Sequence, residues 1–222
     1  AIIYAPISSI ALICLIGICF SVFGIYANAI SLGICIILIC LLCFFVGFIV
    51  KRQRQAEMPR HYPLKIWMIF LGYLLCGIAA TTFMYITPLD GPNSFVQTYD
   101  NVFHYNVIES FLQSGSWSIL SVDSYLGSAD ASIDPFPGSS FYPAGWHTIV
   151  AFVSSSLSFS VALTTNAVNS VFMGVVFPSG VFLLLLTLFD KHKVILACGI
   201  ASSMVVAVFP WSLYNQWPLF PN

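Results

Sequence analysis

Four uncharged apolar runs constrain this chain more than any other feature of its sequence. They cover residues 6–26, 29–50, 66–86 and 194–213. An α-helix rises about 1.5 Å per residue, so roughly 20 residues cross a hydrocarbon layer of about 30 Å. A fifth run, residues 168–189, is weaker only at its polar start. With charged residues making up 7% of the chain, the sequence predicts an all-α polytopic membrane protein with five transmembrane helices.

Charged residues are distributed unevenly along the chain. Five of the seven basic residues lie within residues 51–65, where Glu57 is the only acid. Short loops rich in Lys and Arg remain cytoplasmic. Residues 66–189 contain no Lys or Arg and six of the eight acids, namely Asp90, Asp100, Glu109, Asp123, Asp130 and Asp134. The pattern predicts a cytoplasmic loop at 51–65 and a long extracytoplasmic loop at 87–160.

A second basic cluster, residues 190–193, decides how many segments cross the membrane. Two full spans between residues 147 and 189 would place this cluster outside, against the charge bias. We therefore expect the serine-rich segment 147–160 to form a juxtamembrane helix on the outer side, with residues 168–189 crossing inward and 194–213 crossing outward. The resulting organisation is two helices in 1–50, a basic loop at 51–65, a span at 66–86, an external loop at 87–160, and two spans with an external end in 161–222. We expect the chain to be part of a longer multi-span protein.

The segment QTYDNVFHYNVIESFLQSG, residues 97–115, is the best helix candidate in the external loop. At about 100° per residue it has one apolar face and one polar face. The apolar face holds Phe103, Val107, Ile108, Phe111 and Leu112, and the polar face holds Tyr105, Asn106, Glu109, Ser110 and Gln113. Gly115 is placed as a C-cap. Such a helix is expected to lie in the membrane interface.

Asp100 and His104 fall inside the apolar sector of this helix rather than on its polar face. They are four residues apart, so their side chains can touch. A carboxylate turned towards an apolar environment is disfavoured unless it has a partner or a task, and both conditions suit a general base. The alternative is that Asp100 only caps the helix N-terminus and that His104 is a neighbour with satisfied hydrogen bonds.

A second polar and aromatic group lies in SSFYPAGWHT, residues 139–148. Pro143 suits the first turn of a helix, and Trp146 suits the headgroup zone. His147 is expected at a depth similar to that of Asp100. The alternative interpretation of Tyr142 and Trp146 is an interfacial aromatic anchor.

A divalent-metal site is a further possibility that the sequence leaves open. Mg²⁺, Mn²⁺ and Ca²⁺ favour carboxylate ligands, and these ions are the only cofactors that the sequence suggests. The ligands would be drawn from Asp123, Asp130 and Asp134 together with His104 and His147. No compact ligand motif supports this set.

Three short motifs carry a resemblance to known proteins. D-x-x-F-H-x-N begins at Asp100, YPAGWH begins at Tyr142, and W-x-L-F-P-N covers residues 217–222. Together they resemble membrane glycosyltransferases of the GT-C superfamily, and more narrowly a bacterial multi-pass family with that architecture. The resemblance covers residues 66–222. It implies a GT-C-like fold in the bacterial plasma membrane, with the acidic residue on a juxtamembrane helix of the first long external loop.

The resemblance also implies a reaction and a set of site residues. Asp100 would be the catalytic base on an acceptor hydroxyl, and His104 would hold that base or contact phosphate. Substrate binding would fall to Asn106, Tyr142, Trp146 and His147. The donor would be a polyprenyl-phosphate-linked sugar, and the acceptor an envelope polysaccharide or glycolipid. The expected partners are thus the lipid bilayer, this donor and a glycan acceptor, with no nucleic acid.

One departure from the resemblance and two alternatives remain. Enzymes that handle phosphate usually offer Arg or Lys, which residues 66–189 lack, so a divalent ion or another part of the protein would have to supply the positive charge. The first alternative is a transporter or flippase of lipid-linked sugars, which the external position of most acids disfavours. The second is a non-catalytic membrane assembly partner.

Overall fold

The computed structural model describes residues 5–53, 62–95, 99–124, 140–189 and 193–205. Within these ranges the chain is helical, and its only β-type pairing is an isolated bridge between Val122 and Ser140. The helices are α1 (Ala5–Val22), α2 (Ala29–Gln53), α3 (Leu64–Thr81), α4 (Tyr99–Ser114), α5 (Gly145–Leu157), α6 (Val161–Val171), α7 (Phe177–Phe189) and α8 (Lys193–Val205). The prediction of an all-helical chain is confirmed for the described residues.

Four helices are long and apolar enough to cross a membrane: Ala5–Val22, Ala29–Val50, Leu64–Ile86 and Val161–Phe189. The first three coincide with the apolar runs predicted at 6–26, 29–50 and 66–86. The fourth begins seven residues before the predicted run at 168–189. The additional residues are polar enough to lower the hydropathy, but they are helical and several of them are buried. The fifth predicted span, 194–213, begins in α8, and its remainder lies outside the described residues.

One π-helical segment ends the third of these helices, and another interrupts the fourth. Thr82–Ile86 follows α3, and Phe172–Val176 joins α6 to α7. The two long helices cross where Gly77 faces Gly174: a Cβ atom on Gly77 would lie 2.7 Å from the Gly174 carbonyl oxygen and 2.5 Å from Pro178. The backbones therefore approach so closely that position 77 has no room for a side chain. Beyond the crossing, α8 packs on α3 and α7, with the Tyr73 hydroxyl donating to the Leu196 carbonyl at 2.7 Å.

Helix α4 ends as the sequence predicts, at a glycine with positive φ. Gly115 has φ +68, and its N–H donates to the Phe111 carbonyl at 2.9 Å. A Cβ atom there would lie 2.3 Å from the Tyr26 ring, while the Gly115 carbonyl accepts from the Ala27 N–H at 2.8 Å. Glycine is therefore required both by the backbone conformation and by the approach of the segment between α1 and α2.

The expectation that α4 lies in the interface with one wet face is only partly right. Glu109 and Gln113 are exposed as predicted, but Ser110, assigned to the polar face, is buried. Helix α4 packs against both α5 and α6. More of its circumference is therefore buried than is expected for a helix that lies in the membrane interface. Its side chains Val107, Ile108 and Phe111 enter a core shared with α1, α2 and α5.

Helix α5 confirms that the 147–160 region is helical but does not form a full-length span. Its 13 residues rise about 20 Å, which is short of the roughly 30 Å hydrocarbon thickness. It ends before Ser158, which has φ 55, and Ser160 then caps α6 by accepting from the Leu163 N–H at 3.2 Å. α5 packs along α1 and meets the start of α2, where the Ala29 N–H donates to Ser155 Oγ at 3.1 Å.

Candidate functional site

The packing of α4 on α5 joins the two motifs that the sequence singles out. His104 Nδ1 and His147 Nε2 lie 3.0 Å apart, a hydrogen bond between residues 43 positions apart in the chain. His104 is 3% exposed and His147 is fully buried. The predicted burial of His104 is therefore confirmed, and its imidazole partner comes from the second motif.

Aromatic rings surround this histidine pair. The Phe103 and Tyr142 ring centroids are 5.0 Å apart, and Tyr142 lies 5.8 Å from His147, both edge to face. Trp146 lies 6.1 Å from His104 and 5.1 Å from His147, again edge to face. These ring contacts fix the planes of both imidazoles. Tyr142 and Trp146 thus belong to the same cluster as the pair.

Asp100 is placed differently from the expectation. It lies in the first turn of α4, where a carboxylate interacts favourably with the helix dipole, but its side chain is exposed rather than turned to the buried side. Among the described residues no hydrogen bond or ion pair joins Asp100 to His104 or caps the helix through its carboxylate. The predicted orientation is wrong because a helical projection gives the relative angles of side chains, whereas burial depends on which of those angles other helices cover, and Asp100 is exposed.

Asp100 is nevertheless close to the aromatic cluster. Burial raises the pKa of the Tyr142 phenol, and the Asp100 carboxylate raises it further. The phenol therefore keeps its proton and remains a hydrogen-bond donor beside an exposed carboxylate. The arrangement is an accessible acid at the edge of a buried, ring-lined histidine pair.

The electrostatics of the interior favour neutral side chains. Burial lowers the pKa of His147 well below its usual value, and the neighbouring His104 lowers it further. On α4, burial raises the pKa of Tyr105 to about 12, and the nearby Tyr85 adds to this while Thr165 opposes it. His147 is therefore uncharged at neutral pH.

A chain of hydrogen bonds supports Trp146 from the opposite side. The Trp146 indole N–H donates to Asn169 Oδ1 at 3.0 Å, and the Asn169 amide donates to the Tyr85 hydroxyl at 3.2 Å. Tyr85 donates to Asn166 Oδ1 at 2.9 Å. The Asn166 amide donates to the carbonyls of Pro92 and Ser94 at 3.0 and 2.8 Å. This polar chain, Trp146–Asn169–Tyr85–Asn166, ties α5 to α6, to the end of the third span and to the loop that follows it.

The sequence prediction did not include Tyr85, Asn166 or Asn169. The signal present in the sequence is a pair of amide side chains three residues apart at the start of an apolar run, on one face of a helix. Amides in such a run need partners, because an unsatisfied polar group in an apolar environment is disfavoured by several kcal/mol, on the order of 2–7.

The remaining predicted residues are not brought together. Asn106 is half-buried on α4, and Glu109 is exposed and accepts a hydrogen bond from Gln113 at 2.8 Å. The residues that the structure describes contain no group of three or more metal-ligating side chains. Asp130 and Asp134 lie outside the described residues, so the predicted metal set remains a prediction.

Comparison with curated proteins and with solved structures gives no match. The model of a protein family of unknown function, DUF6541, matches residues 1–222. The match covers every element that builds the site, from α1 to α8. The chain therefore belongs to the DUF6541 family.

Proposed function

We propose that this protein is a membrane glycosyltransferase that moves a sugar from a polyprenyl-phosphate-linked donor to an envelope polysaccharide or glycolipid. The observation that carries the proposal is the meeting of the two motif segments at the 3.0 Å contact between His104 and His147, beside the exposed carboxylate of Asp100. The reaction class comes from the resemblance of these motifs to the GT-C superfamily.

The chemistry requires a base that an acceptor can reach. The acceptor hydroxyl oxygen forms a bond to the anomeric carbon of the donor, and the bond from that carbon to the phosphate oxygen breaks with its electron pair leaving on the phosphate. The proton of the hydroxyl passes to the base. Asp100 suits this role because its carboxylate is exposed and no described side chain occupies it with a hydrogen bond.

The positions of the acids disfavour the transporter alternative. Asp90, Asp100, Glu109 and Asp123, the acids in the described ranges, all lie outside the four candidate spans. Ionisable groups that serve a translocation path lie within the spans, towards the bundle interior. A surface site that acts on lipid-linked substrates agrees better with this distribution.

We place the site on the external face of the plasma membrane. The end of α1 and the turn that follows it contact the segment after α4. The Ala27 N–H donates to the Gly115 carbonyl, and the Ser21 and Ser116 hydroxyls lie 3.1 Å apart. These two segments therefore share one side, and four spans put the basic 51–65 loop and residue Lys193 on the other.

Sidedness can be measured by cysteine labelling in intact cells. In a variant without native cysteines, we expect Gln113→Cys to react with an impermeant maleimide and Lys193→Cys to react only after permeabilisation. Both positions are exposed, so accessibility on the protein is matched. Labelling of Lys193→Cys in intact cells would show that α5 crosses the membrane and would overturn the topology.

The activity is tested with the full-length protein in membrane vesicles and a polyprenyl-phosphate donor labelled in its sugar. We expect label to pass to endogenous glycan or glycolipid only in vesicles that contain the protein. Vesicles without the protein are the control. If no label is transferred from a panel of polyprenyl-phosphate hexoses and pentoses, the proposed glycosyltransferase activity is rejected.

A further inference from the structure

Helix α5 begins without a cap. Its N-cap residue is Ala144, whose methyl group cannot accept a hydrogen bond, and no side-chain bond caps this end of the helix. The first backbone bond runs from the Thr148 N–H to the Ala144 carbonyl at 3.0 Å. The N–H groups of Gly145 and His147 precede it and make no hydrogen bond to any described residue. Two backbone donors therefore remain at the positive end of the helix dipole.

The side chain of His147 adds a third polar group at the same place. His147 is the third residue of α5, a position from which side chains reach back over the start of a helix. Its ring contacts that of Tyr142, two residues before the N-cap, with centroids 5.8 Å apart. Nε2, at the tip of the ring, faces His104 at 3.0 Å, so Nδ1, on the backbone side, is directed at the first turn. Nδ1 is buried and bonds to none of the described residues.

We propose that the start of α5 is a binding site for a phosphate group, which accepts hydrogen bonds from the N–H groups of Gly145 and His147 and from His147 Nδ1. The N-terminus of a helix binds anions because its N–H groups point at the ligand and its dipole favours negative charge. The inference rests on the proposed function for the source of the phosphate, which is the polyprenyl-phosphate donor.

A bound phosphate fixes the position of the His147 proton. Burial and the neighbouring His104 lower the pKa of His147, so its ring is neutral and carries one proton. With that proton on Nδ1, the ring donates to the phosphate, and Nε2 accepts the 3.0 Å hydrogen bond from His104 Nδ1. This arrangement involves only one nitrogen of His104, whatever the other nitrogen contacts. Without an anion, the Nδ1–H group would be a buried donor without an acceptor, which is rare in proteins.

The composition and exposure of this region suit such a site. Residues 66–189 contain no Lys or Arg, so this part of the chain has neither residue to offer to a phosphate. Hydrogen bonds from neutral N–H groups to an ionised oxygen are stronger than bonds between two neutral groups. Gly145 is half-buried and Pro143 is exposed, so a ligand can approach the start of the helix from outside the protein.

The site also lies suitably for the proposed base. The Tyr142 ring contacts His147, and the pKa of the Tyr142 phenol responds to the Asp100 carboxylate, so Tyr142 is next to both. The anomeric carbon of the donor is attached to its phosphate. A phosphate held at α5 would therefore bring that carbon to the neighbourhood of Asp100.

The wild-type protein tests the site directly by ¹⁵N NMR. The full-length protein is labelled in histidine and glycine and held in lipid nanodiscs. Resonances are assigned by their loss in His147→Phe and in Gly145→Ala, whose added Cβ would lie 3.4 Å from Cys14 Sγ, an ordinary contact. Undecaprenyl phosphate should move the His147 Nδ1 and Gly145 amide resonances, with Nδ1 at the shift of a protonated ring nitrogen. Undecaprenol, which lacks the phosphate, should leave both in place.

Inorganic phosphate distinguishes the two sources of the anion. A response to undecaprenyl phosphate at concentrations where inorganic phosphate has no effect supports the lipid-linked ligand. A response to inorganic phosphate alone would keep the anion site and reject the polyprenyl phosphate as its occupant.

Two substitutions separate binding from packing. His147→Phe keeps a ring but removes one donor, so undecaprenyl phosphate should bind about tenfold more weakly, as expected for losing one hydrogen bond to a charged group. Ala144→Asp adds a carboxylate that can accept from the same N–H groups and repels an anion, so binding should be lost, although such a cap stabilises helices. Ala144→Asn, which caps without the charge, is the matched control and should bind more tightly than Ala144→Asp.

Three results would overturn the inference: no response of His147 Nδ1 and Gly145 to either phosphate, an unprotonated Nδ1 in the phosphate-bound protein, or equal binding by wild type, His147→Phe and Ala144→Asp. The first two are read on the wild-type protein and so do not depend on how a substitution folds. Failure of sugar transfer with the phosphate response intact would reject the transferase and leave the site standing. Sugar transfer without that response would reject the site alone.

Discussion

Asp100→Asn should lower sugar transfer from a polyprenyl-phosphate donor by at least ~10²-fold, the factor typical of losing a general base. Asparagine keeps the size of the side chain and its capacity to accept hydrogen bonds at the first turn of α4, but an amide cannot take the acceptor proton. Since Asp100 is exposed and bonded to no described side chain, the substitution should leave insertion and folding unchanged. Initial transfer rates at matched protein levels measure the effect.

Glu109→Gln is the matched control for this substitution. Glu109 lies on the same helix, is exposed, and bonds only to Gln113 among the described contacts. The control should transfer sugar at close to the wild-type rate. If Asp100→Asn does so as well, Asp100 is not the base, and its place at the helix start reflects the helix dipole alone.

The membrane helices could be predicted from the sequence because hydropathy acts locally. Each run of about twenty apolar residues must be helical in a membrane, whatever it packs against, since the helix satisfies its own backbone groups. The start of the fourth span was missed for the same reason. Thr164, Thr165, Asn166 and Asn169 lower the local hydropathy, and only the burial of these side chains among other helices shows that the helix begins at Val161.

The sequence could predict several residues of the site but not how those residues are arranged. His104 and His147 were both singled out, yet nothing local indicates that residues 43 positions apart share a hydrogen bond. The orientation of Asp100 failed because a helical projection gives the relative angles of side chains and not which angles the rest of the protein covers. Burial of Ser110 on the supposed wet face has the same origin.

Asn169→Leu should destabilise the protein by about 1–3 kcal/mol, the cost of leaving a buried donor unsatisfied. Leucine is close to asparagine in volume but cannot accept the Trp146 indole proton, now at 3.0 Å from Asn169 Oδ1, or donate to the Tyr85 hydroxyl. For a chain of this size, the loss corresponds to a fall in Tm of roughly 2–4 °C per kcal/mol. Thermal unfolding in detergent, followed by tryptophan fluorescence, measures it.

Gln113→Leu provides the comparison, since it removes an amide that is exposed and bonded only to Glu109. Its effect should stay within about 0.5 kcal/mol, as for surface substitutions in general. The two variants also differ in their expected effect on the site: a displaced Trp146 would release the edge contact that orients His104, so Asn169→Leu should lower transfer even at temperatures where the protein is fully folded. An Asn169→Leu protein with wild-type Tm and wild-type transfer would show that the polar chain neither stabilises the fold nor positions the histidine pair.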